Sequence, residues 1–514
     1  MKFKMFGKAR NILVSVMEWR EAHPKGVVCE SDAYYAKLAG RIAGLLKVMI
    51  GKGGDCTEDD LKAIAIDIVA YFEDKLNGIN LYNAFLAAYR KRFGRSCPFY
   101  DADAADLLDD EPNREDIRFL LWQRINYMNP NTILNPISTV IGEMAEEICT
   151  ILYDEFEVAP ESPELYDAIY SPENFRDLIK LRQLCEWIAV RAYLTAVWDT
   201  ESCFEEIYRI YTSYMDDRDG ASSNMLLYGI DAYFSFNVKC GPLAITPQKW
   251  LGKMLELSDE KELREFASVL EAMSTYTIMP YEITSVGNDG FEVVNLAGET
   301  MQMKFDPLPE ATWKDVRKGH ILVGALVEFE GFWRVNGLSK FTPQPESLSE
   351  EIKLYLDKKK ELAETYRIQV EKNGGSQIGV AGDWKELVSR FDLDKANDTS
   401  VDGSIKENMK EEKNLLYFIN TNSSMSLLPG RATGIAIPDN PYYDKHEAER
   451  LSGVILLDND STEELRDYLI NNHLLPDARL AGPYPDDKAK EWFAANAPFL
   501  AILTHTDEVE FNLP

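Results

Sequence analysis

The stretch YEITSVGNDGFEVVNL, residues 281–296, decides the architecture of the second half of this chain. Two runs of β-branched and aromatic residues flank the turn GNDG at 287–290, which is the pattern of a β-hairpin. Three similar short runs follow, at 301–305, 321–329 and 332–335. Five short strands within about sixty residues predict a small SH3-like or OB-like β-barrel over 276–345.

Upstream of the barrel, residues 1–275 are patterned as a series of amphipathic helices. Thr57 precedes three acidic residues, which is typical of a capped helix start, and Thr246-Pro247 places proline at the first position of another helix. Between 172 and 198 apolar residues cover a wide helix face, which indicates burial among other helices. We therefore predict an α-helical domain over 1–275.

Downstream of the barrel, residues 346–375 are patterned as a charged connecting helix. The polar stretch 376–414 is predicted to be a linker with one short helix near 384–391, and 415–514 an α+β domain. The predicted fold class is a multidomain, mainly α protein. Within the C-terminal domain the predicted strands are 415–419, 434–437, 454–457 and 499–503, and the predicted helices are 445–451, 463–471 and 486–496.

The charge balance limits the classes of partner. The 514 residues include 55 Lys and Arg against 86 Asp and Glu, a formal net charge of −31. Residues 276–345 alone contain six basic and nine acidic side chains. A chain this negative repels phosphate backbones, so nucleic acid is an improbable partner.

The seven cysteines form no C-x-x-C pair, and several interrupt apolar helical stretches, as Cys149 does. This usage is typical of small buried hydrophobes in a reducing compartment. No apolar run approaches the ~18–20 residues of a membrane span, and the run at 12–17 is too short for a signal peptide. We expect a cytoplasmic protein with no membrane contact.

Four segments carry a family resemblance: NREDIRFLLW at 113–122, FWRVNG at 332–337, NLLYFIN at 414–420 and DNPYYD at 439–444. Together they resemble a bacterial family, domain of unknown function 3843, over most of the chain past residue 110. The resemblance implies a bacterial cytosolic protein. It transfers no catalytic residue.

The sharpest chemical motif is Asp458-x-Asp460-x-Thr462 after the apolar run 454–457. It resembles the first motif of haloacid-dehalogenase-type phosphotransferases, in which the first Asp attacks phosphorus and the second is the acid/base. Only about fifty residues follow, too few for the remaining parts of such a site. We favour the interpretation that Ser461 or Thr462 caps the helix predicted at 463–471.

The other candidate motifs are incomplete, so we expect no metal and no cofactor. The five histidines lack the spacing of a zinc site, and surface or capping positions are predicted for them. The acidic side chains at 143, 146 and 147 are interpreted as a solvated helix face, and GKGG at 51–54 as a helix end. The histidines are His23, His320, His446, His473 and His505.

Phe332 and Trp333 are the candidate binding residues. Adjacent positions on a strand point to opposite faces, so one of the two is expected in the barrel core and the other outward. An outward aromatic could grip an extended peptide, although a half-buried packing role is favoured.

The modular layout without a complete catalytic set predicts a cytosolic protein-interaction scaffold or adaptor that docks other cytosolic proteins. One alternative is a metal-dependent phosphate-ester hydrolase that uses Asp458 and Asp460. A further alternative is a factor that docks onto a ribonucleoprotein through the barrel.

Overall fold

The computed structural model describes residues 12–50, 56–128, 134–214, 223–343, 348–393, 411–458, 461–475 and 486–513. The chain divides into two compact units. Unit 1 comprises Met1–Arg124, Thr139–Leu348 and His505–Pro514, and unit 2 comprises Ile125–Ser138 and Ser349–Thr504. The five-part domain division drawn from the sequence stays a prediction.

Unit 1 begins with the predicted series of helices. In α3 the Thr57 side chain accepts a hydrogen bond from the Asp60 backbone N–H, as predicted, and Gly78 in a left-handed conformation ends the helix. Its helices are α1 Val16–Arg20, α2 Asp32–Ile50, α3 Glu58–Asn77, α4 Leu81–Phe93, α5 Arg114–Tyr127 (which ends in unit 2), α6 Thr139–Phe156, α7 Pro163–Tyr170, α8 Leu178–Val190, α9 Thr200–Tyr214, α10 Ser223–Asn237, α11 Pro247–Glu256 and α12 Lys261–Ala272.

The predicted β-barrel is confirmed as a closed five-stranded barrel in the order β1-β2-β3-β5-β4. Strand β3 lies parallel to β5, and the other pairs are antiparallel. This order is that of an OB-type barrel, one of the two types predicted. The strands are β1 Thr275–Val286, β2 Gly290–Val294, β3 Thr300–Lys304, β4 His320–Phe329 and β5 Phe332–Pro343, and a short helix, α13 Glu310–Trp313, precedes β4.

Strand β5 runs eight residues past its predicted end at 335. Asn336-Gly337 looks like a turn in the sequence, but the two residues lie at a register shift within the β4–β5 pair. Gly337 has a φ of +91°, and a Cβ there would lie 3.0 Å from the Cα of Gly229 in α10. Glycine is therefore needed at 337 because β5 approaches α10 closely, and not because the chain reverses direction there.

Unit 2 contains a three-stranded sheet in the order β6-β7-β8. Strand β7 and the helices at 384–391 and 463–471 are confirmed, whereas β6 lies in the predicted linker. Apolar residues of the sheet belong to two hydrophobic clusters. One cluster includes Leu451 and Ile455, and the other includes Trp384 and Leu387. The elements are α14 Leu348–Lys372 (which begins in unit 1), β6 Ile378–Asp383, α15 Trp384–Phe391, β7 Lys413–Ile419, β8 Met425–Leu428, α16 Lys445–Leu457, α17 Glu463–Asn471 and α18 Asp486–Leu503.

Three predicted strands of the C-terminal region are wrong. Residues 454–457 belong to α16 and residues 499–503 to α18. Gly434 ends a short 3-10 turn, and 435–437 are not assigned to a strand. A buried apolar run of four or five residues has no periodicity that separates strand from helix. In the part of the chain that the structure describes, no helix combines the length and apolar character needed to cross a membrane.

Candidate functional site

Phe332 and Trp333 differ in their exposure to solvent. Phe332 points outward with 38% of its surface exposed, and the Lys304 Nζ lies 4.4 Å from its ring centre. Trp333 is half-buried, packs against the barrel core and stacks on Tyr276 with 4.8 Å between ring centres. Peptide binding by Phe332 stays a prediction.

The D-x-D-x-T motif has a structural role in its last residue. Thr462 accepts a hydrogen bond from the Leu465 backbone N–H and so caps α17, as predicted. Asp458 follows α16 rather than a strand, and its carboxylate accepts a hydrogen bond of 3.3 Å from Arg431. Asp460 lies outside the described residues.

An unexpected polar centre lies inside the helices of unit 1. Three consecutive charged residues of α3, Glu73, Asp74 and Lys75, are each at most 5% exposed. Successive helix positions point about 100° apart, so the three side chains reach three different sets of neighbours. Buried charges are tolerated only when they are paired, and each of these is.

Glu73 connects to a histidine and a serine pair. Its Oε2 lies 2.8 Å from Nε2 of His23, and its Oε1 accepts a 2.5 Å hydrogen bond from the Ser162 hydroxyl. Ser162 Oγ also lies 2.6 Å from Ser31 Oγ. His23 is 2% exposed, so the surface or capping role predicted for it is wrong. Its burial comes from long-range packing, which sequence spacing does not reveal.

The other face of His23 meets Asp32 at the start of α2. Asp32 Oδ2 accepts hydrogen bonds from Arg20 Nε at 2.5 Å and from the Cys29 backbone N–H at 3.1 Å. Asp32 Oδ1 and His23 Nδ1 lie 3.7 Å apart, and neither has a hydrogen-bond partner. Burial, with the nearby Glu73 and Asp32 carboxylates, raises the pKa of the Cys29 thiol to about 12.

Asp74 and Lys75 connect α3 to other parts of unit 1. Asp74 accepts hydrogen bonds from the Tyr193 hydroxyl at 2.6 Å and the Tyr82 backbone N–H at 3.0 Å, and burial raises its pKa. The Lys75 ammonium donates to Asn83 at 2.7 Å and lies 3.7 Å from Asp116.

Asp116, on α5, is the acidic partner of Lys75. It accepts a 2.8 Å hydrogen bond from the Tyr71 hydroxyl. Burial raises the pKa of its carboxyl to about 6, against the opposing effect of the Lys75 ammonium.

The arrangement of Ser162, Glu73 and His23 differs from a nucleophile–histidine–acid triad, because the Ser162 hydroxyl donates to Glu73 rather than to His23.

A separate surface groove of about 670 Å³ lies between α9 and α10. Phe204 and Tyr208 line it from α9, and Leu227 and Ile230 line it from α10. Tyr208 is 49% exposed and Leu227 is 53% exposed. On α9, Glu201 and Glu205 also line the groove, together with Arg209.

A family model described as a protein of unknown function (DUF3843) matches residues 14–286. The chain belongs to DUF3843. Of the four segments that carry the resemblance in the sequence, 113–122 lies inside the match and the other three lie beyond it. No curated protein and no solved structure gives a significant match to the chain. The bacterial origin stays an expectation.

The DUF3843 segment contains both the polar centre and the α9/α10 groove. Sequence reasoning missed the centre, although one signal was available: the triplet EDK at 73–75 continues an apolar stretch at 68–72 without a helix break. The expected burial of cysteines is confirmed for six of the seven thiols, and Cys56 is half-buried.

Proposed function

We propose that this DUF3843 protein is a cytosolic protein-interaction scaffold or adaptor whose docking surface is the α9/α10 groove. The observation that carries the proposal is the pair of half-exposed apolar side chains, Tyr208 and Leu227, on facing walls of one open groove. Exposed apolar clusters on a folded surface mark sites of association.

The groove fits an amphipathic helix of a partner. Phe204 and Tyr208 lie four residues apart on α9, and Leu227 and Ile230 lie three apart on α10, so each wall presents its apolar side chains along one helix face. Helix-in-groove recognition uses anchors at this spacing on the incoming helix.

The charge at the rim favours a basic partner. Among the groove residues, Glu201 and Glu205, one turn apart on α9, outnumber the basic Arg209, and the chain carries a net charge of −31. A second copy of this chain would bring like charges together, whereas a helix with Lys or Arg beside its apolar anchors gains complementary contacts.

Site-specific photocrosslinking tests this proposal. A photoreactive phenylalanine analogue replaces Tyr208 in the full chain, expressed in its native host. The matched control replaces Tyr153 of α6, which is also 49% exposed. We expect a crosslinked protein at position 208 only, through a basic amphipathic segment that peptide mass spectrometry identifies. Equal crosslinking at both positions, or none at 208, contradicts the proposal.

The two alternative functions receive less support. A phosphate-ester hydrolase needs Asp458 at a strand end facing a metal, and its position after α16 beside Arg431 disfavours that role. Docking onto a ribonucleoprotein is disfavoured by the excess of acidic over basic residues. The free thiols support a reducing compartment such as the cytoplasm.

A further inference from the structure

Three potential metal ligands converge where the chain enters α2. A ring nitrogen of His23, the Cys29 thiol and a carboxylate oxygen of Asp32 all lie within 4.8 Å of one another, and all three residues are buried. The cluster is separate from the α9/α10 groove. His23 and Cys29 come from the segment between α1 and α2, and Asp32 is the first residue of α2.

The orientation of His23 is that of a metal ligand. Its Nε2 is held by Glu73 at 2.8 Å, and Glu73 is itself fixed by the Ser162 hydroxyl. Histidines that bind metals commonly use a carboxylate on one ring nitrogen to orient the other. Here the other nitrogen, Nδ1, is fully buried without a hydrogen-bond partner and faces Asp32 Oδ1.

The surroundings of the cluster are acidic. Arg20 pairs with Asp32 Oδ2 only, so Oδ1 stays unpartnered, and Glu73 adds a second buried carboxylate. A third carboxylate, Glu164, has a buried oxygen without a hydrogen-bond partner and is close enough to Cys29 to influence its thiol. A bound cation would balance this buried negative charge and give the unpartnered oxygens a ligand.

The distances suit a small ion after a modest contraction. Zinc bonds of about 2.0–2.3 Å in a tetrahedron place ligand atoms roughly 3.3–3.8 Å apart. The distance of 3.7 Å between His23 Nδ1 and Asp32 Oδ1 is already in that range. The Cys29 sulfur lies within 4.8 Å of the other two ligand atoms, so it would need to move by about 1 Å. One imidazole, one thiolate and one carboxylate form a donor set that zinc accepts.

We propose that His23, Cys29 and Asp32 bind one Zn²⁺ ion that links the start of α2 to α3 through Glu73. On binding, the Cys29 S–H bond breaks, the sulfur electron pair forms the Zn–S bond, and the proton leaves to solvent. His23, Cys29 and Asp32 are ligands, and Glu73 is a positioning residue.

Zinc titration of the chelator-treated full chain, in competition with a chromophoric chelator, tests the proposal. We expect one tight zinc per chain and at least tenfold weaker binding in Cys29→Ser. Glu73→Gln is expected to weaken binding about 10- to 100-fold, as for other carboxylates that orient a metal-ligating histidine. The matched control is Cys56→Ser, which removes a more accessible thiol outside the cluster and should bind zinc like the parent chain.

Cobalt substitution gives a second readout, and its main observation is made on the unaltered chain. Co²⁺ bound at the cluster of the unaltered chain should show a thiolate-to-cobalt charge-transfer band at one equivalent, and Cys29→Ser should lack it. Far-ultraviolet circular dichroism monitors the fold of each variant. Absence of tight zinc binding, a cobalt spectrum without the thiolate band, or equal zinc affinity of parent and Cys29→Ser chains overturns the proposal.

Discussion

Replacing Lys75 by methionine tests the reasoning on the buried polar centre. Methionine keeps most of the side-chain volume but removes the ammonium that lies 3.7 Å from Asp116. Asp116 is 1% exposed, and one of its oxygens has no hydrogen-bond partner, so the variant leaves an uncompensated buried charge. Breaking a buried ion pair in this way costs about 3–5 kcal/mol of unfolding free energy.

This loss should depend on pH. Burial raises the pKa of Asp116 from 3.8 to about 6, a difference equivalent to about 3 kcal/mol. Because the folded-state pKa lies above the unfolded one, protonation of Asp116 stabilises the native state as pH falls below about 6, and this stability is lost as pH rises through that value. Without the Lys75 ammonium the pKa rises further, so most of the cost should appear at about pH 7.5 and little at about pH 5.

Hydrogen exchange of peptides from α3, corrected for the intrinsic effect of pH, measures this difference locally. At about pH 7.5 protection in Lys75→Met should fall by roughly two to four orders of magnitude, and at about pH 5 by tenfold or less. Lys47→Met is the matched control, because its pair with Glu58 is exposed and such pairs contribute about 0–1 kcal/mol. An equal loss of protection at both pH values, or a double variant in which Asp116→Asn fails to restore protection, would show that an unpaired Asp116 charge is not the cause.

Three further outcomes are expected. In a binding titration Leu227→Glu should weaken partner docking at least tenfold, with an unchanged melting temperature. Val140 of α6 is about as exposed as Leu227 but lies outside the groove, so Val140→Glu should leave docking intact. Thr462→Ala should destabilise unit 2 by about 1 kcal/mol in urea unfolding, because the N-cap of α17 is lost. Gly337→Ala should lower the melting temperature more than Gly331→Ala, because both have positive φ but only a Cβ at 337 meets the backbone of α10.

The sequence predicted those parts of the fold that local pattern determines. The Thr57 and Thr462 caps and the strand runs predicted at 291–296 and 301–305 each carry a signal within a few residues. Both caps are found, and the two runs correspond to β2 and β3. Residues 454–457 and 499–503 carry only apolarity, which suits a buried helix and a buried strand equally, and the strand prediction is wrong for both.

The polar centre could not be predicted because its contacts are distant in sequence. His23 meets Glu73 across 50 residues, and Glu73 meets Ser162 across 89. Spacing rules for catalytic or metal-binding motifs find only ligands that are close along the chain, and here only His23, Cys29 and Asp32 are. Even these match no established zinc spacing, so the sequence pattern favours a surface or capping position for the histidine.

The charged triplet Glu73-Asp74-Lys75 also sets the rotational orientation of α3 about its own axis. A turn of about 100° around the helix axis would exchange Glu73 for Asp74 and Asp74 for Lys75, and every head group would then face an unsuitable neighbour. Leucine and isoleucine tolerate such slippage, because one apolar contact substitutes for another. The rotational orientation of α3 is therefore encoded by three adjacent ionisable residues, and its apolar side chains supply cohesion without specifying direction.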